Sequence, residues 1–173
     1  MSREYAIRLA RPADADAFHK VETDAATLLR EVPELAGIPI PPPGTAAHYR
    51  ALIAKGDCLT ATIGDMVVGF AAARQVRREL HLEGLSVARA AQRQGIGSTL
   101  LRALFIDARN RGLCAITLDT FQDVAFNAPF YARHGFIEVE NFESHPHLAK
   151  SLDDGEAAGL PREKRVAMIA FLT

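Results

Sequence analysis

Gln92-Arg93-Gln94-Gly95-Ile96-Gly97 stands between an extended apolar segment, residues 80–87, and a long amphipathic pattern, residues 98–111. Its two glycines, one residue apart, allow a tight turn and a close backbone approach that a Cβ would block. A helix that starts behind such a turn offers unpaired N–H groups and the positive end of its dipole, and both favour a polyphosphate. Arg93 adds a mobile positive charge at the same mouth. Gripping of a diphosphate at a strand–turn–helix junction is the chemistry these residue types imply.

Two common phosphate loops do not fit. The dinucleotide fingerprint G-x-G-x-x-G needs a third small residue where this chain has Leu100, and the P-loop needs a Gly-Lys-Ser/Thr step that is absent here. What remains is Q-x-x-G-x-G after a strand. That pattern resembles the coenzyme A pyrophosphate loop of the GNAT superfamily of N-acetyltransferases, and the resemblance implies that Gln92, Arg93, Gln94, Gly95, Ile96, Gly97 and Ser98 face the coenzyme.

Working outward, the helix behind the loop is the best-patterned element. Ile96, Leu100, Leu104 and Ala108 recur at every fourth residue, with Leu101 and Phe105 beside them and Gly112 as the stop. Before the loop, residues 5–10 alternate as a strand and Pro12 opens a helix that runs to about Arg30. Residues 32–44 carry five prolines and are read as irregular; residues 45–55 form a second helix ended by Gly56. A hairpin (58–63 and 66–74, turning at Gly64-Asp65) leads to the strand at 80–87, where Gly84 marks a bulge or a close approach. After Gly112 come strands at 114–120, 136–139 and 165–172, a short helix before 136, and a polar tail at 153–160. The arginines Arg74, Arg77 and Arg78 read as a solvated hairpin turn. No internal repeat is visible. The expected fold is α/β, the acetyltransferase layout over nearly the whole chain: one mixed, mostly antiparallel sheet, splayed between strands 4 and 5 and flanked by helices.

A length of 173 residues predicts one domain spanning 1–173. With 49% apolar and 24% charged residues, the composition is that of a soluble globular chain with one sizeable core. No apolar run is long enough to span a bilayer, and the first residues lack an apolar signal core, so the cytoplasm is the expected compartment. A net charge of −1 argues against nucleic acid as a partner. Cys58 and Cys114 have no metal spacing and are expected to be buried, reduced thiols. Likewise the histidines show no metal-ligand spacing, and His145-Pro146-His147 reads as a surface loop near the acceptor side, so no metal is expected.

A second motif lies at Asn127-Ala128-Pro129-Phe130-Tyr131-Ala132-Arg133-His134-Gly135-Phe136. Asn127 reads as an N-cap, Pro129 suits a first turn, and Gly135 ends the helix before Phe136 opens a buried strand. An aromatic–Tyr pair followed by three residues and Gly-Phe is similar to the family's second signature. By that resemblance Tyr131 points its hydroxyl at the thioester sulfur and protonates the leaving thiolate; read from the residues alone, it also suits packing on the core. Many relatives carry an Asn seven residues before this tyrosine, against the pantetheine arm. Here Val124 holds that place and Asn127 is the nearest substitute, either as a coenzyme contact or as a cap only.

The base is expected on the strand ahead of the loop. His81 and Glu83 are two residues apart and so share one face. The spacing is similar to the His-x-His pair of arylalkylamine N-acetyltransferases, with Glu83 in the second position, and Pro129-Phe130-Tyr131 matches that subgroup too. Either side chain, directly or through water, suits deprotonation of an alkylammonium; the alternative is a solvated strand face. The family also implies that pantetheine pairs along the splayed strand at Leu85, Ser86 and Val87, where a freed N–H meets the thioester carbonyl, an interaction worth roughly 3–4 kcal/mol.

Acetyl-coenzyme A is thus the expected cosubstrate, and a primary amine the acceptor, by direct transfer in a ternary complex. A small amine is favoured, with a protein amine still open. Glu22, Asp24, Glu31 and Glu34 lie where a cationic amine would enter, although they equally suit an ordinary helix surface. Homodimers are common among relatives. The alternative reading is a non-catalytic acyl-coenzyme A sensor on the same fold.

Overall fold

The computed structural model describes residues 4–173; residues 1–3, on which the reading of the N-terminus partly rests, lie outside it. Seven strands form one sheet: β1 (Ala6–Leu9), β2 (Leu59–Ile63), β3 (Met66–Val76), β4 (Glu79–Val87), β5 (Ala115–Phe121), β6 (Ile137–Glu138) and β7 (Arg165–Phe171), in the order β1-β2-β3-β4-β5-β7-β6. Every adjacent pair is antiparallel except β4 and β5. The helices are α1 (Ala15–Ala26), α2 (Ala46–Ala54), α3 (Ile96–Asn110), α4 (Ala128–Ala132) and α5 (Pro146–Ala157). This is the mixed, mostly antiparallel sheet flanked by helices that the sequence leads one to expect.

The splay between β4 and β5 has a local cause. The two strands pair in parallel only at Glu79–Ala115, Leu80–Ile116 and His81–Thr117. On its other side β4 pairs with β3, but the register slips: Ala73 opposes Leu82 and Ala72 opposes Gly84, so Glu83 is the extra residue of a bulge. A bulge increases twist and bends its strand, which turns the rest of β4 away from β5. The bulge expected at Gly84 therefore falls one residue earlier.

Each face of the sheet has its own cover. On one face α3 packs Ile96, Leu100, Leu101 and Leu104 against Leu80, Leu82, Ile116 and Leu118, all buried. On the other, α1 and α2 set Phe18, Tyr49, Leu52 and Ile53 on Phe70 and Ala72, with Phe18 stacked on Phe70 at 4.3 Å. Ala71, Ala72 and Ala73 of β3 are fully buried, and their small side chains let helices approach from both sides. Further along that second face α5 seats Leu148 and Leu152 on Ala115, Ala167 and Ile169. The gap left between α1 and α5 lies over the splayed strands.

Several local expectations need correction. The stretch read as a surface loop and polar tail is α5, with Pro146 in its first turn. Only Leu148 and Leu152 mark its buried stripe, too little for the period to show. Nor is the proline-rich stretch wholly irregular: Pro33–Leu35 makes one turn of 3-10 helix. Leu35 joins Val32, Ile38 and Ile40 against Phe121, Val124 and Leu160. Cys58 is buried but Cys114 is exposed, because it precedes β5 at the strand's open end. Arg74 lies within β3 rather than in the turn, where Arg77 adopts a positive φ of 55°.

Asp14 ties the N-terminal strand to the sheet. Its carboxylate accepts from both terminal nitrogens of Arg8 (2.7 and 3.0 Å), from the Arg11 N–H (2.8 Å) and from the Thr60 hydroxyl (3.0 Å). Burial alone would raise its pKa, but these donors outweigh burial and hold it below the usual carboxylate range. A depressed folded-state pKa contributes stability above the unfolded value near ~4, which is lost as pH falls through the folded value. Asp14→Ala is expected to cost about 2 kcal/mol in urea denaturation at pH 7, with the difference from the unmutated chain shrinking below about pH 4.

Candidate active site

Two clefts, of about 790 and 780 Å³, open over the splayed strands and share the residues Glu22, Leu29, Leu85, Ser86, Asn127 and Tyr131. Tyr131 comes from α4, whose five residues are held by Pro129 in the first turn and Gly135 (φ 91°) just past the end. It is 8% exposed, and burial pushes its phenol well above the usual tyrosine range. The phenol therefore keeps its proton near neutral pH.

The second cleft runs from this junction to the mouth of α3. Leu85, Ser86, Val87, Gln92, Arg93, Gly95, Ile96, Gly97, Ser98 and Asn127 all line it; Gln94 does not. Strand alternation fixes where the main chain of Leu85 and Val87 points. The Ala88 N–H bonds back to Val68 on β3, so the main-chain groups of Leu85 and Val87 face the opposite way, into the gap left by β5. The loop holds itself in shape: the Gln92 side-chain amide donates to the Val87 carbonyl (2.9 Å), and Arg93 and Gly95 turn through φ of 64° and 80°. Gly95 is the N-cap of α3, and the Thr99 N–H is the first to return to its carbonyl. Ahead of it the N–H groups of Ile96, Gly97 and Ser98 have no partner within the helix, which is the donor set a diphosphate needs. Phe126, Phe130 and Leu28 supply an apolar wall.

Asn127 sits in the N-cap position, yet its side chain makes no capping hydrogen bond. The capping role expected from its position is thus not realised, and the residue lines both clefts. Val124, in the family's usual asparagine position, is buried in the apolar cluster under the proline-rich loop and reaches neither cleft.

The first cleft is polar. His81 and Glu83 both line it, and the bulge keeps them on one face despite the slip in register. His81 is buried, whereas Glu83 is exposed with its carboxylate paired. Glu83 accepts from Arg74 Nε (2.8 Å) and lies 3.0 Å from His48 Nε2. His81 is 3% exposed, with Nδ1 at 3.0 Å from the Thr117 hydroxyl and Nε2 at 3.8 Å from Asp119. Burial lowers its pKa; Arg74 adds to that, while Asp119 and Glu83 oppose it. The resting imidazole is therefore neutral near pH 7.

Sequence reasoning missed Asp119, Thr117, Ser151 and His147 here. Asp119 bonds Ser151 and Arg165, and the Thr117 hydroxyl also meets His147 Nε2 at 3.0 Å. Thr117 and Asp119 were findable as alternate residues of a strand beside His81; His147 was expected near the acceptor side, but as part of a loop rather than on α5 facing Thr117. No cluster able to hold a metal ion is found among the described residues.

The four acidic candidates separate. Glu22 lines both clefts, and its carboxylate accepts from the Tyr49 hydroxyl and from the Gly44 N–H (2.9 Å). Asp24 instead accepts from the Arg89 N–H, and Glu31 pairs with the Arg89 side chain at 3.0 Å. Glu34 is exposed and lines neither cleft.

Known structures share this architecture. PaiA N-acetyltransferase from Thermoplasma acidophilum, solved in complex with coenzyme A, matches with a TM-score of 0.71 and 14% identity over 97% of this chain and 99% of that one. Ribosomal-protein-S18-alanine N-acetyltransferase from Escherichia coli gives 0.70 and 18% over 98% and 95%. Rv2747 from Mycobacterium tuberculosis, also solved with coenzyme A, gives 0.69 and 22% over 97% and 99%. At these identities the likeness speaks for the fold. The family model for the acetyltransferase (GNAT) family matches residues 27–136, from the end of α1 through the loop and α3 to the second motif. The chain belongs to the acetyltransferase (GNAT) family.

Proposed function

We propose that this chain is an acetyl-coenzyme A-dependent N-acetyltransferase, one domain over residues 1–173 working in the cytoplasm, that passes acetyl directly to a small primary amine. The observation that carries this reading is the meeting of two clefts at Tyr131: one ends at open helix N–H groups, the other is polar and holds a neutral buried imidazole. The N–H groups of residues 96–98 and the side chains of Gln92 and Arg93 hold the diphosphate. Pantetheine lies along Leu85–Val87, pairs with the main-chain groups of Leu85 and the Val87 N–H, the Val87 carbonyl being held by Gln92, and meets the Asn127 amide. The thioester carbonyl takes the Val87 or Leu85 N–H, and Tyr131 protonates the departing thiolate. The amine enters beside Glu22 and loses its proton to His81, while Glu83, held by Arg74 and His48, orients the nucleophile. The coenzyme A-bound relatives support the first half of this assignment.

Among amines, the spacing of His81 and Glu83 with Pro129-Phe130-Tyr131 favours an arylalkylamine type. Glu22 favours a cation: no positively charged side chain pairs with it among the described residues, so its charge is neutralised only through neutral donors. Glu22→Gln is expected to raise the KM for a cationic amine about tenfold, equal to ~1.4 kcal/mol, with the KM for acetyl-coenzyme A unchanged. An unaltered amine KM would place the ammonium elsewhere. The whole reading is tested by free thiol released from acetyl-coenzyme A over a broad panel of primary amines. Tight coenzyme A binding with no turnover on any amine would overturn it in favour of a sensor.

A further inference from the structure

Beside the mouth of α3 the second motif places a titratable side chain with no role so far. The Phe130 ring lies against Gly97, and the His134 ring stands 4.7 Å from Phe130, centroid to centroid. This packing sets His134 Nε2 3.2 Å from the Ser98 hydroxyl. Ser98 lines the coenzyme cleft, and its N–H is one of those left open at the start of the helix. The surroundings are positive. Arg102 of α3 and Arg133, just past α4, both act on His134, while Arg93 and Arg133 line the cleft itself. Among the described residues none of Arg93, Arg102, Arg133 and His134 is ion-paired to a carboxylate.

We infer that His134 is the titratable part of the diphosphate clamp: it takes up a proton as the coenzyme binds and turns the Ser98 hydroxyl onto a phosphate oxygen. This rests on the coenzyme-binding half of the function proposed above. A hydroxyl has one proton to give. A neutral imidazole accepts that proton at Nε2, which holds it away from the cleft. An imidazolium has no lone pair, so its Nε2 donates to the Ser98 oxygen and the hydroxyl proton swings towards the ligand. The diphosphate thereby gains one donor and one nearby positive charge. The proton comes from solvent, which reaches the half-buried ring, and no bond between heavy atoms changes.

The charges around the ring give the coupling its sign. In the free protein burial, then Arg102 and Arg133, hold His134 below its ordinary range. All three disfavour the cation, and no carboxylate offsets them. A bound diphosphate reverses the balance, because it supplies negative charge where the arginines had none. A group whose pKa rises on binding favours the complex at low pH. Affinity is therefore highest below the free-protein value and falls as pH rises through the bound value.

The probe is dephospho-coenzyme A, whose diphosphate diester has no group titrating between about pH 6 and pH 8; coenzyme A itself carries a phosphomonoester that does. Calorimetric titration of the unmutated chain and His134→Gln, in two non-phosphate buffers of different ionisation enthalpy, reads affinity and proton uptake together. The unmutated chain should bind about fivefold more tightly at pH 6 than at pH 8, with net proton uptake. His134→Gln keeps an N–H donor for Ser98 without the charge, so it should hold the pH 8 affinity throughout and take up no proton. Nitrogen–proton correlation spectra of the ¹⁵N-histidine-labelled unmutated chain need no variant: the His134 titration should move to higher pH when dephospho-coenzyme A is bound. Binding with flat affinity and no uptake, uptake that persists in His134→Gln, or an unmoved His134 titration would overturn the proposal and leave coenzyme binding standing. If neither coenzyme A nor dephospho-coenzyme A bound at any pH, the acetyl-transfer reading would fall and this inference with it.

Discussion

Gly95→Val weakens coenzyme A binding by about a hundredfold, roughly 2.7 kcal/mol, and leaves the protein folded. Gly95 sits at φ 80°, where a β-branched residue is strained by more than ~1 kcal/mol. A Cβ there would meet nothing closer than the Tyr5 hydroxyl at 3.9 Å, so the core is not disturbed. The harm falls on the loop. Gly95 is the N-cap of α3, and relaxing its φ swings the N–H groups of residues 96–98 away from a common point. The valine side chain also stands at the edge of the cleft these groups serve. Calorimetric titration with coenzyme A gives the affinity, and a circular-dichroism melt checks the fold. Unchanged affinity in a folded variant would mean that the diphosphate is held elsewhere. Gly95→Ala, strained but smaller, should fall between the two.

Tyr131→Phe lowers kcat about a hundredfold and changes the KM for acetyl-coenzyme A by less than about twofold. The phenol stands where the two clefts join, and no hydrogen bond from another side chain or the backbone engages its hydroxyl among the described residues. Removing the oxygen therefore leaves no buried partner unpaired, and the ring keeps its contacts with Phe130 and Phe136 at 5.2 and 5.5 Å. Stability should be nearly unchanged, which separates a chemical role from a packing one. Burial raises the phenol's pKa, so its deprotonation lies above the pH range of the assay and contributes no basic limb there. With His81 as the proposed base, the acidic limb is expected to follow its imidazole, whose pKa burial lowers. If the variant turned over as fast as the unmutated chain, Tyr131 would be a core residue and the thiolate would take its proton from another donor.

Some of this was legible along the chain because it depends on neighbours in sequence. The stripe at Ile96, Leu100, Leu104 and Ala108 is a period that one helix satisfies by itself, and all four are buried. Gly95 follows from the positive φ its turn demands. Strands such as β2 and β7 also announce themselves, as short runs of mainly apolar residues. In contrast α5 has two core leucines on an otherwise polar surface, and it becomes a helix because Leu148 and Leu152 find Ala115, Ala167 and Ile169 beneath them.

The sequence by itself determined the strand–turn–helix junction at residues 92–98, the succession of strands and the family's two signatures, since each is a local run whose backbone conformation its own residues dictate. Only the tertiary structure decided which polar groups face one another. A bulge at Glu83 parts β4 from β5, α5 brings His147 within reach of Thr117, and Glu22, not Asp24 or Glu31, is left facing the clefts. These juxtapositions join residues far apart in the chain, such as His81 and His147, through sheet register and helix packing. A distance of that kind is set by the sum of many core contacts, and no short stretch of the chain encodes it.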